Sequence, residues 1–315
     1  MHEFFRNGPL MVLAPMYKNC GLAYRTLSRK YGANLCYTEM VHTQKFLQAK
    51  NKKRWLDDFI DSPLIVQICG NDPCVMRKAA EHFTSALAVD VNFGCPQLIA
   101  KRGNYGAYLQ NDWQLTSEII KRLSSLERPV TCKIRIFDDD RRTIEYARMI
   151  EMSGCKMLAV HGRTREQRGP NTGLANWDAI KLVKEHLGIP VISNGNILCR
   201  KDITDCLSFT KCDGVMVAET HLYNPLIFSG ENKSSFEILN EYFDLCDETT
   251  PMYEIKSHTH KILHKAFDQH ESYKNKIQNV GAMWQIRGIV GELESLCGNE
   301  LKILQPRIRH AKQLI

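Results

Sequence analysis

Eight short apolar segments recur along the chain, and each is separated from the next by a stretch long enough for a helix. Within each segment the residues are apolar throughout, which is typical of strands buried on both faces of a parallel sheet. The segments begin at Leu10, Leu35, Leu64, Ala86, Val130, Met157, Ile189 and Gly214.

The stretches between these segments have the amphipathic pattern of helices, for example "CGLAYRTLSRKY", "DWQLTSEIIKRLSSL" and "NWDAIKLVKEHLG". A strand followed by a helix, repeated eight times, predicts an α/β fold of the (β/α)8 TIM-barrel type.

The pattern changes after Phe228, where "ENKSS" reads as a polar linker and only helical periodicity follows. We therefore expect a TIM-barrel domain over residues 1–230 and an all-helical C-terminal domain over residues 236–315.

The amino-acid composition is that of a globular protein. Of 315 residues, 43% are hydrophobic and 24% charged, as in ordinary globular proteins. No apolar run is long enough to span a bilayer, and the N-terminus does not resemble a secretory signal. The 12 cysteines form no CxxC pair, which suits a reducing compartment. We expect a cytoplasmic protein, with a nuclear location as the alternative, that is a monomer with no membrane partner.

The net charge of +7 is unevenly distributed. From Phe236 onward we count 10 Lys and Arg against 11 Asp and Glu, so the excess lies in the preceding residues. A basic barrel suits a polyanionic partner such as RNA, although a mildly basic soluble protein fits the same numbers.

Polar side chains stand near the C-terminal ends of four predicted strands, where TIM barrels carry their chemistry. They are Gln67, Asn92, Lys133 and His161. Each alone could be a hydrogen-bonded core residue, but four together favour a site for a planar cofactor with a phosphate. The loops after strands seven and eight, the usual phosphate cradle, supply Asn194, Gly195, Ala218 and Glu219.

Two other patterns resemble metal sites, and we discount both. His260 and His264 are four residues apart, with His258 nearby, but no cysteine or carboxylate completes a set, so we expect an exposed helix. The carboxylates of residues 138–140 are expected to cap the helix that begins near Arg141. We predict no metal.

The chain resembles the flavin-dependent tRNA-dihydrouridine synthases. The matching motifs run in the family's order from Leu10 to Phe228, and they are "APM", "QICGNDP", "DVNFGCPQ", "RGNYGAYL", "CKIRI", "HGRTREQ", "ISNGNI" and "GVMVAETHLYNP". The details are most similar to the eukaryotic branch that modifies positions 16 and 17 of the tRNA D-loop.

The resemblance implies FMN as the cofactor, NADPH or NADH as the reductant and tRNA as the substrate. It places the flavin against the backbone of Pro15 and Met16 and against three of the polar side chains above, Gln67, Lys133 and His161. The flavin phosphate would lie at Asn194, Gly195, Ala218 and Glu219, and Asn92 would hold the flavin or the uracil edge.

Two positions depart from the family's pattern. Glu39 resembles the bacterial members, and Thr220 with His221 replaces a smaller Gly-Asn pair. These departures bear on the tightness of the phosphate loop and on which D-loop uridine is modified.

Cys95 is the candidate catalytic residue. Reduction of the C5=C6 bond of uridine requires a hydride, here from flavin N5 to C6, and a proton at C5. A thiol that is protonated at neutral pH can supply that proton as a general acid. We expect Pro96 to stiffen the turn that presents Cys95, and Gly103 and Gly106 to let the following loop move.

Basic residues near the strand ends are candidates for tRNA phosphate contacts. The best placed are Lys101, Arg102, Arg163 and Arg165; weaker candidates are Lys52, Lys53, Arg54, Arg168 and the terminal "PRIRHAK". Two alternatives stay open: a flavin-dependent barrel that acts on a small molecule, and a non-catalytic RNA-binding barrel.

Overall fold

The computed structural model describes residues 8–52, 55–56, 58–169 and 172–297. All eight predicted strands are present, and a further two-residue strand, β3, was not predicted. The strands are β1 Leu10–Leu13, β2 Leu35–Tyr37, β3 Val41–His42, β4 Leu64–Cys69, β5 Ala88–Phe93, β6 Val130–Arg135, β7 Leu158–His161, β8 Val191–Asn194 and β9 Gly214–Val217.

The strands form a closed parallel barrel. β1 pairs with both β2 and β9, and the pairing of β2 with β4 closes the ring. The short β3 lies on the other edge of β4, with Val41 opposite Ile68. The predicted (β/α)8 TIM-barrel fold is confirmed.

The described helices follow the strands and then continue alone. They are α1 Leu22–Lys30, α2 Thr43–Gln48, α3 Pro73–Ala80, α4 Leu98–Arg102, α5 Trp113–Leu123, α6 Asp140–Met152, α7 Trp177–His186, α8 Arg200–Thr210, α9 Glu219–Tyr223, α10 Ser235–Leu245, α11 Met252–Ile262, α12 His264–Gln269, α13 Glu271–Asn279 and α14 Met283–Cys297, with a 3₁₀ helix at Gly106–Asn111.

Short polar side chains fix the starts of several helices. Asp72, Asp112, Asp139 and Asn176 each accept a hydrogen bond from a backbone N–H of the following first turn. Asp139 caps α6, so the predicted capping role of the acidic run is confirmed. Ser234, within the predicted linker, forms a capping box with Glu237 at α10.

The core has two layers because each strand is buried on both faces. One cluster fills the barrel interior, with residues such as Val12, Ile65, Ala159 and Ile192. The alternate positions, such as Leu13 and Val66, pack outward against the helices in a larger cluster. This arrangement explains why the strands are apolar throughout.

The C-terminal helices pack on the α1 side of the barrel through aromatic contacts. The ring of Tyr24 in α1 stacks on His258 in α11, with centroids 3.9 Å apart. His258 is completely buried, so the prediction that its helix is exposed was wrong for this face. The periodicity could not reveal this, because the histidine faces an aromatic partner from the barrel.

Among the described residues, no helix has the length and apolar character needed to cross a membrane. Lys53, Arg54 and the terminal "PRIRHAK" lie outside the described residues. The domain boundaries at residues 230 and 236 stay a prediction.

Candidate active site

The register of the strands brings the polar side chains together inside one end of the barrel. Residues two apart on a strand face the same side, so Gln67 shares the interior face of Ile65, and Lys133 lies opposite Asn92 and Ala159 in the register. Asn194 lies opposite His161 in the same way. The predicted polar residues therefore converge inside the C-terminal end of the barrel.

A continuous chain of hydrogen bonds links the side chains of β4, β5 and β6 inside the barrel, and its centre is Asp90. This fully buried carboxylate accepts a hydrogen bond from the Thr131 hydroxyl at 2.7 Å and from Gln67 Nε2 at 2.9 Å. Gln67 Oε1 in turn accepts from Asn92 Nδ2 at 2.8 Å. Burial raises the pKa of Asp90 to about 6.

Asp90 was not predicted to be a site residue, although its position in the sequence carries a signal. Asp90 lies two residues before Asn92 on the same strand, so both must face the barrel interior. The structure engages both polar ends of Gln67 and of Asn92 within the protein. This favours a positioning role for them over a direct contact with a ligand.

The chain of hydrogen bonds ends at the backbone of Cys95. Asn92 Oδ1 accepts hydrogen bonds from the N–H groups of Gly94 and Cys95, at 3.1 and 2.8 Å. Arg135 Nε donates to the carbonyl of Gly94 at 3.0 Å. The Cys95 carbonyl accepts from Ala107 N at 3.1 Å. The loop that carries the thiol is thus held at several points.

Two side chains beyond this turn hold the carbonyl of Pro96. The Tyr108 hydroxyl donates to it at 3.0 Å, and Arg168 donates to both the carbonyl and the Tyr108 oxygen. Arg168, a candidate for phosphate contact, is exposed as well as bonded to this turn, so that candidacy stays a prediction.

The Cys95 thiol is half-buried and protonated at neutral pH. Burial raises its pKa, and this outweighs a backbone hydrogen bond from Gln97 and the nearby charges of Arg135 and Lys133. A protonated thiol near cations can release a proton and leave a stabilised thiolate.

Gly106 packs directly against this cysteine. Its φ of +65° lies in the left-handed region, and an added Cβ would come within 2.8 Å of the Cys95 carbonyl oxygen. The glycine therefore permits a close approach of two backbones, where the sequence had suggested loop movement.

Lys133 lies half-buried in β6 and forms no hydrogen bond or ion pair with any residue that the structure describes. Burial and, after it, the charge of Arg135 lower the pKa of its ammonium group to about 8, and the charge of Asp90 opposes this shift. The group remains mostly charged at neutral pH and is available to a ligand.

His161 is held in one orientation by Arg163. Arg163 Nη1 lies 3.0 Å from His161 Nε2, and burial followed by three neighbouring cations lowers the pKa of the imidazole well below its ordinary value. A neutral ring that accepts at Nε2 carries its proton at Nδ1, which is then a donor.

Arg163 is a buried residue, whereas the sequence had suggested that it meets RNA. Besides His161, its guanidinium donates to the Gly173 carbonyl at 3.0 Å and to Asn196 Oδ1 at 2.8 Å. These contacts favour a role in positioning His161. Arg165 is more accessible; it pairs with Glu166 and lies over the Tyr108 ring.

The predicted phosphate cradle borders a cavity of about 1110 Å³. Its lining includes His161, Arg163, Gly195, Ala218 and Glu219. Gly195 has a φ of +116°, and an added Cβ would come within 2.7 Å of Ala175. Asn194 lines the cavity too, but its side-chain amide donates to the Met216 carbonyl at 2.8 Å.

Lys101 and Arg102 lie exposed at the end of α4, immediately after the Cys95 turn. Leu98 and Ile99 on the same helix are also more than half exposed. Pro15 and Met16 are half-buried and follow β1 at the same end of the barrel.

These residues fit a flavin mononucleotide in chemical terms. Lys133 is a cation that no described residue pairs with, His161 Nδ1 is a neutral donor, and Arg163 adds positive charge beside the cavity. Such a set matches a flat, acceptor-rich ring with an anionic tail. Among the described residues, no group of three His, Cys, Asp or Glu side chains could hold a metal ion.

Comparisons with known proteins agree with this geometry. The sequence profile of the dihydrouridine synthase family matches residues 12–296. The chain is 40% identical over 98% of its length to a mouse protein named tRNA-dihydrouridine(16/17) synthase [NAD(P)(+)]-like, and it spans 66% of that protein. It is 41% identical over 88% of its length to the Saccharomyces cerevisiae tRNA-dihydrouridine(16/17) synthase [NAD(P)(+)], and it spans 71% of that protein.

Among solved structures, a 2-naphthoyl-CoA reductase complex resembles the chain with a TM-score of 0.54 and 13% identity. The match covers 69% of this chain and 49% of the reductase. At this identity the likeness concerns the fold alone.

Proposed function

Because this chain belongs to the dihydrouridine synthase family, we propose that it reduces the C5=C6 bond of a uridine in tRNA to 5,6-dihydrouridine. We further propose that the reaction uses bound FMN and NAD(P)H, and that the target lies at position 16 or 17 of the D-loop. The names of the mouse and yeast relatives support the substrate, the reductant and the position.

One observation carries the proposal: a protonated, half-buried thiol lies on a turn held by several hydrogen bonds, at the mouth of a barrel that also presents a lysine without a partner among the described residues. The proton of Cys95 is available for C5 of the uracil. Lys133 and Arg135 stabilise the thiolate that remains, because their charges oppose its pKa rise. Asn92 fixes the turn through the Gly94 and Cys95 amides.

Lys133, His161, Gly195 and the backbone at Met16 and Ala218 would hold the FMN. When bound, FMN would supply the hydride for C6 of the uracil. Lys133 would place a fixed positive charge beside the cofactor, and Arg163 would keep the Nδ1 proton of His161 directed as a donor.

The target uridine must leave its stack to enter the barrel, and a base in an RNA loop does so at lower cost than one in a duplex. Lys101, Arg102 and Arg165 are accessible enough to meet the flanking phosphates. Their position around the Cys95 turn supports this assignment.

The test is a flavin re-oxidation experiment. The purified protein is reconstituted with FMN, reduced with NADPH without oxygen, and mixed with tRNA that lacks dihydrouridine. We expect rapid return of the oxidised flavin absorbance with this tRNA but not with free uridine, and dihydrouridine at position 16 or 17 when the product is mapped.

Two outcomes would contradict the proposal. Flavin that stays reduced with tRNA but re-oxidises with a small molecule would indicate a different barrel reductase. Protein that binds tRNA and takes up no flavin would indicate a non-catalytic RNA-binding barrel.

A further inference from the structure

A second pocket, of about 750 Å³, lies between the barrel mouth and the C-terminal helices. Glu39 at the end of β2 and Asp58 line it from the barrel, and Glu254 of α11 lines it from the helical part. The reaction at Cys95 does not use these three carboxylates. Glu39 follows β2 at the C-terminal end of the barrel, so the pocket lies on the same side of the molecule as the site.

Glu254 is the unusual member of this pocket. Its residue is only 6% exposed, yet its carboxylate accepts no hydrogen bond from the residues that the structure describes. It lies so close to the backbone of Gly21 that an added Cβ there would collide with Oε2. Because no described residue donates to it and it lines the pocket, its oxygens can accept hydrogen bonds from a ligand there.

The neighbouring carboxylates are already engaged by the protein. Glu39 Oε2 accepts from the Lys18 backbone N–H at 2.9 Å. Asp58 accepts from Leu22 N at 2.8 Å and pairs with Arg25 at 3.1 Å. Their charges and, above all, burial raise the pKa of Glu254 to about 7, so much of it is ionised at neutral pH.

Aromatic side chains complete the pocket. Trp55 and Tyr253 both line it, and Tyr253 is 44% exposed. Lys18 Nζ lies 5.0 Å from the Tyr253 ring and 5.4 Å from the Tyr17 ring, which is 67% exposed. Aromatic faces beside a cation are suited to an unstacked base and its phosphate.

We propose that this pocket binds the Watson–Crick edge of a second, unstacked base of the tRNA, and that this base is guanine. The inference rests on the proposed function, since it requires tRNA as the substrate. An ionised carboxylate can only accept hydrogen bonds. Guanine is the standard base with two adjacent donors on that edge, N1–H and the 2-amino group, and both would point at Glu254.

The occupant joins the two parts of the molecule. Glu254 belongs to the helical part and Glu39 to the barrel, so a base between them sets the position of the tRNA relative to the catalytic thiol. The pocket therefore helps to set the position of the bound tRNA and takes no part in the reduction of the uridine.

The experiment compares Glu254→Gln with the wild-type enzyme on transcripts of its substrate tRNA. Loss of a bidentate acceptor corresponds to about 1–3 kcal/mol, so we expect KM for tRNA to rise roughly 5- to 150-fold with kcat little changed. Removing a negative charge would by itself tighten RNA binding, so the expected direction is opposite to the general electrostatic effect. Asp268→Asn, on the surface of α12, is the matched charge control.

The RNA is altered in the same experiment. Each D-arm guanosine is replaced in turn by inosine, which lacks the 2-amino group. At one position inosine should raise the wild-type KM and leave that of Glu254→Gln unchanged. Tyr253→Ala, compared with Tyr253→Phe, tests the stacking wall without touching the buried carboxylate, and thermal unfolding checks that each variant folds.

An unchanged or lower KM for Glu254→Gln would overturn the inference, as would inosine effects of equal size in both enzymes. Failure of the proposed function is distinct, because then the wild-type enzyme itself would form no dihydrouridine in any transcript.

Discussion

The backbone around Cys95 is held by hydrogen bonds from several neighbouring residues, and these fix the position of its thiol. Asn92 Oδ1 binds two successive amides, Arg135 binds the Gly94 carbonyl, and Ala107 N binds the Cys95 carbonyl. The side chain is therefore presented in a fixed place, while burial keeps the thiol protonated. Both properties are those of a positioned general acid.

Replacing Cys95 by alanine should lower kcat for tRNA by roughly 10²- to 10⁴-fold, because general acid catalysis contributes about that much. Serine at this position should be nearly as poor, since a hydroxyl is a far weaker acid than a thiol. Single-turnover flavin re-oxidation measures the effect. Flavin content and KM for tRNA should stay near wild type, and full turnover by either variant would exclude the assigned role.

Deprotonation of Lys133 should lower the activity on the alkaline side of the pH profile. Its pKa is lowered to about 8, so its positive charge is present below that pH and is lost above it. We expect kcat/KM for tRNA to fall as the pH rises through about 8. Lys133→Arg should move this decline to higher pH because arginine stays charged. A decline at the same pH in that variant would assign it to another group.

At the scale of elements, β5 and the loop after it act as one unit. Asp90 and Asn92 face the barrel interior from β5, and the 3₁₀ helix that begins at Gly106 packs back on Cys95. The close approach depends on the absence of a side chain at Gly106.

Gly106→Ala should disturb this unit. The substitution strains a backbone with φ of +65° and places a Cβ 2.8 Å from the Cys95 oxygen, so we expect a stability loss of about 1–2 kcal/mol and a larger loss of turnover. Gly288→Ala is the matched control, because Gly288 lies exposed in α14 and an added Cβ would meet no described atom within 4 Å apart from its chain neighbours and its own helix backbone. That change should stabilise the protein by up to about 1 kcal/mol. Equal effects of the two substitutions would refute the packing argument.

At the scale of the whole molecule, a buried aromatic cluster joins the barrel to the C-terminal helices. Tyr24 of the barrel stacks on His258, and its hydroxyl donates to the His221 carbonyl at 2.7 Å. Both histidines are completely buried, and burial lowers the pKa of each to about 3.

This cluster should make folding sensitive to acid. Between pH 6.5 and about 3 the unfolded chain protonates these histidines and the folded protein does not, so stability falls as the pH falls through that window. Each histidine contributes up to about 1.4 kcal/mol per pH unit. His258→Phe keeps the stack and removes one titrating group, so its free energy of unfolding should depend less on pH.

Denaturant unfolding at several pH values measures the difference. His186→Phe, at an exposed position of α7, should keep the pH dependence of the wild-type protein. If His258→Phe and wild type lost stability in parallel from pH 6.5 to 4, the histidine would not be the acid-sensitive group.

The barrel follows from the hydrophobic pattern alone, because strands buried on both faces are largely apolar and eight such segments recur. The same pattern also indicates which end of the barrel carries polar side chains, since those residues interrupt the apolar runs near their C-terminal ends. The motifs around Cys95, together with the repeated strand pattern, were enough to identify the family to which the chain belongs.

Which polar groups contact each other depends on how the strands and helices assemble in three dimensions. Asp90 could have been found from strand alternation, but its partner Thr131 lies on another strand, so the hydrogen-bond chain depended on register. Arg163 and His258 look like surface residues in the sequence and are buried by segments distant along the chain. Periodicity reports which side of an element faces the core, whereas partners across a barrel or a domain interface are fixed by how the elements assemble.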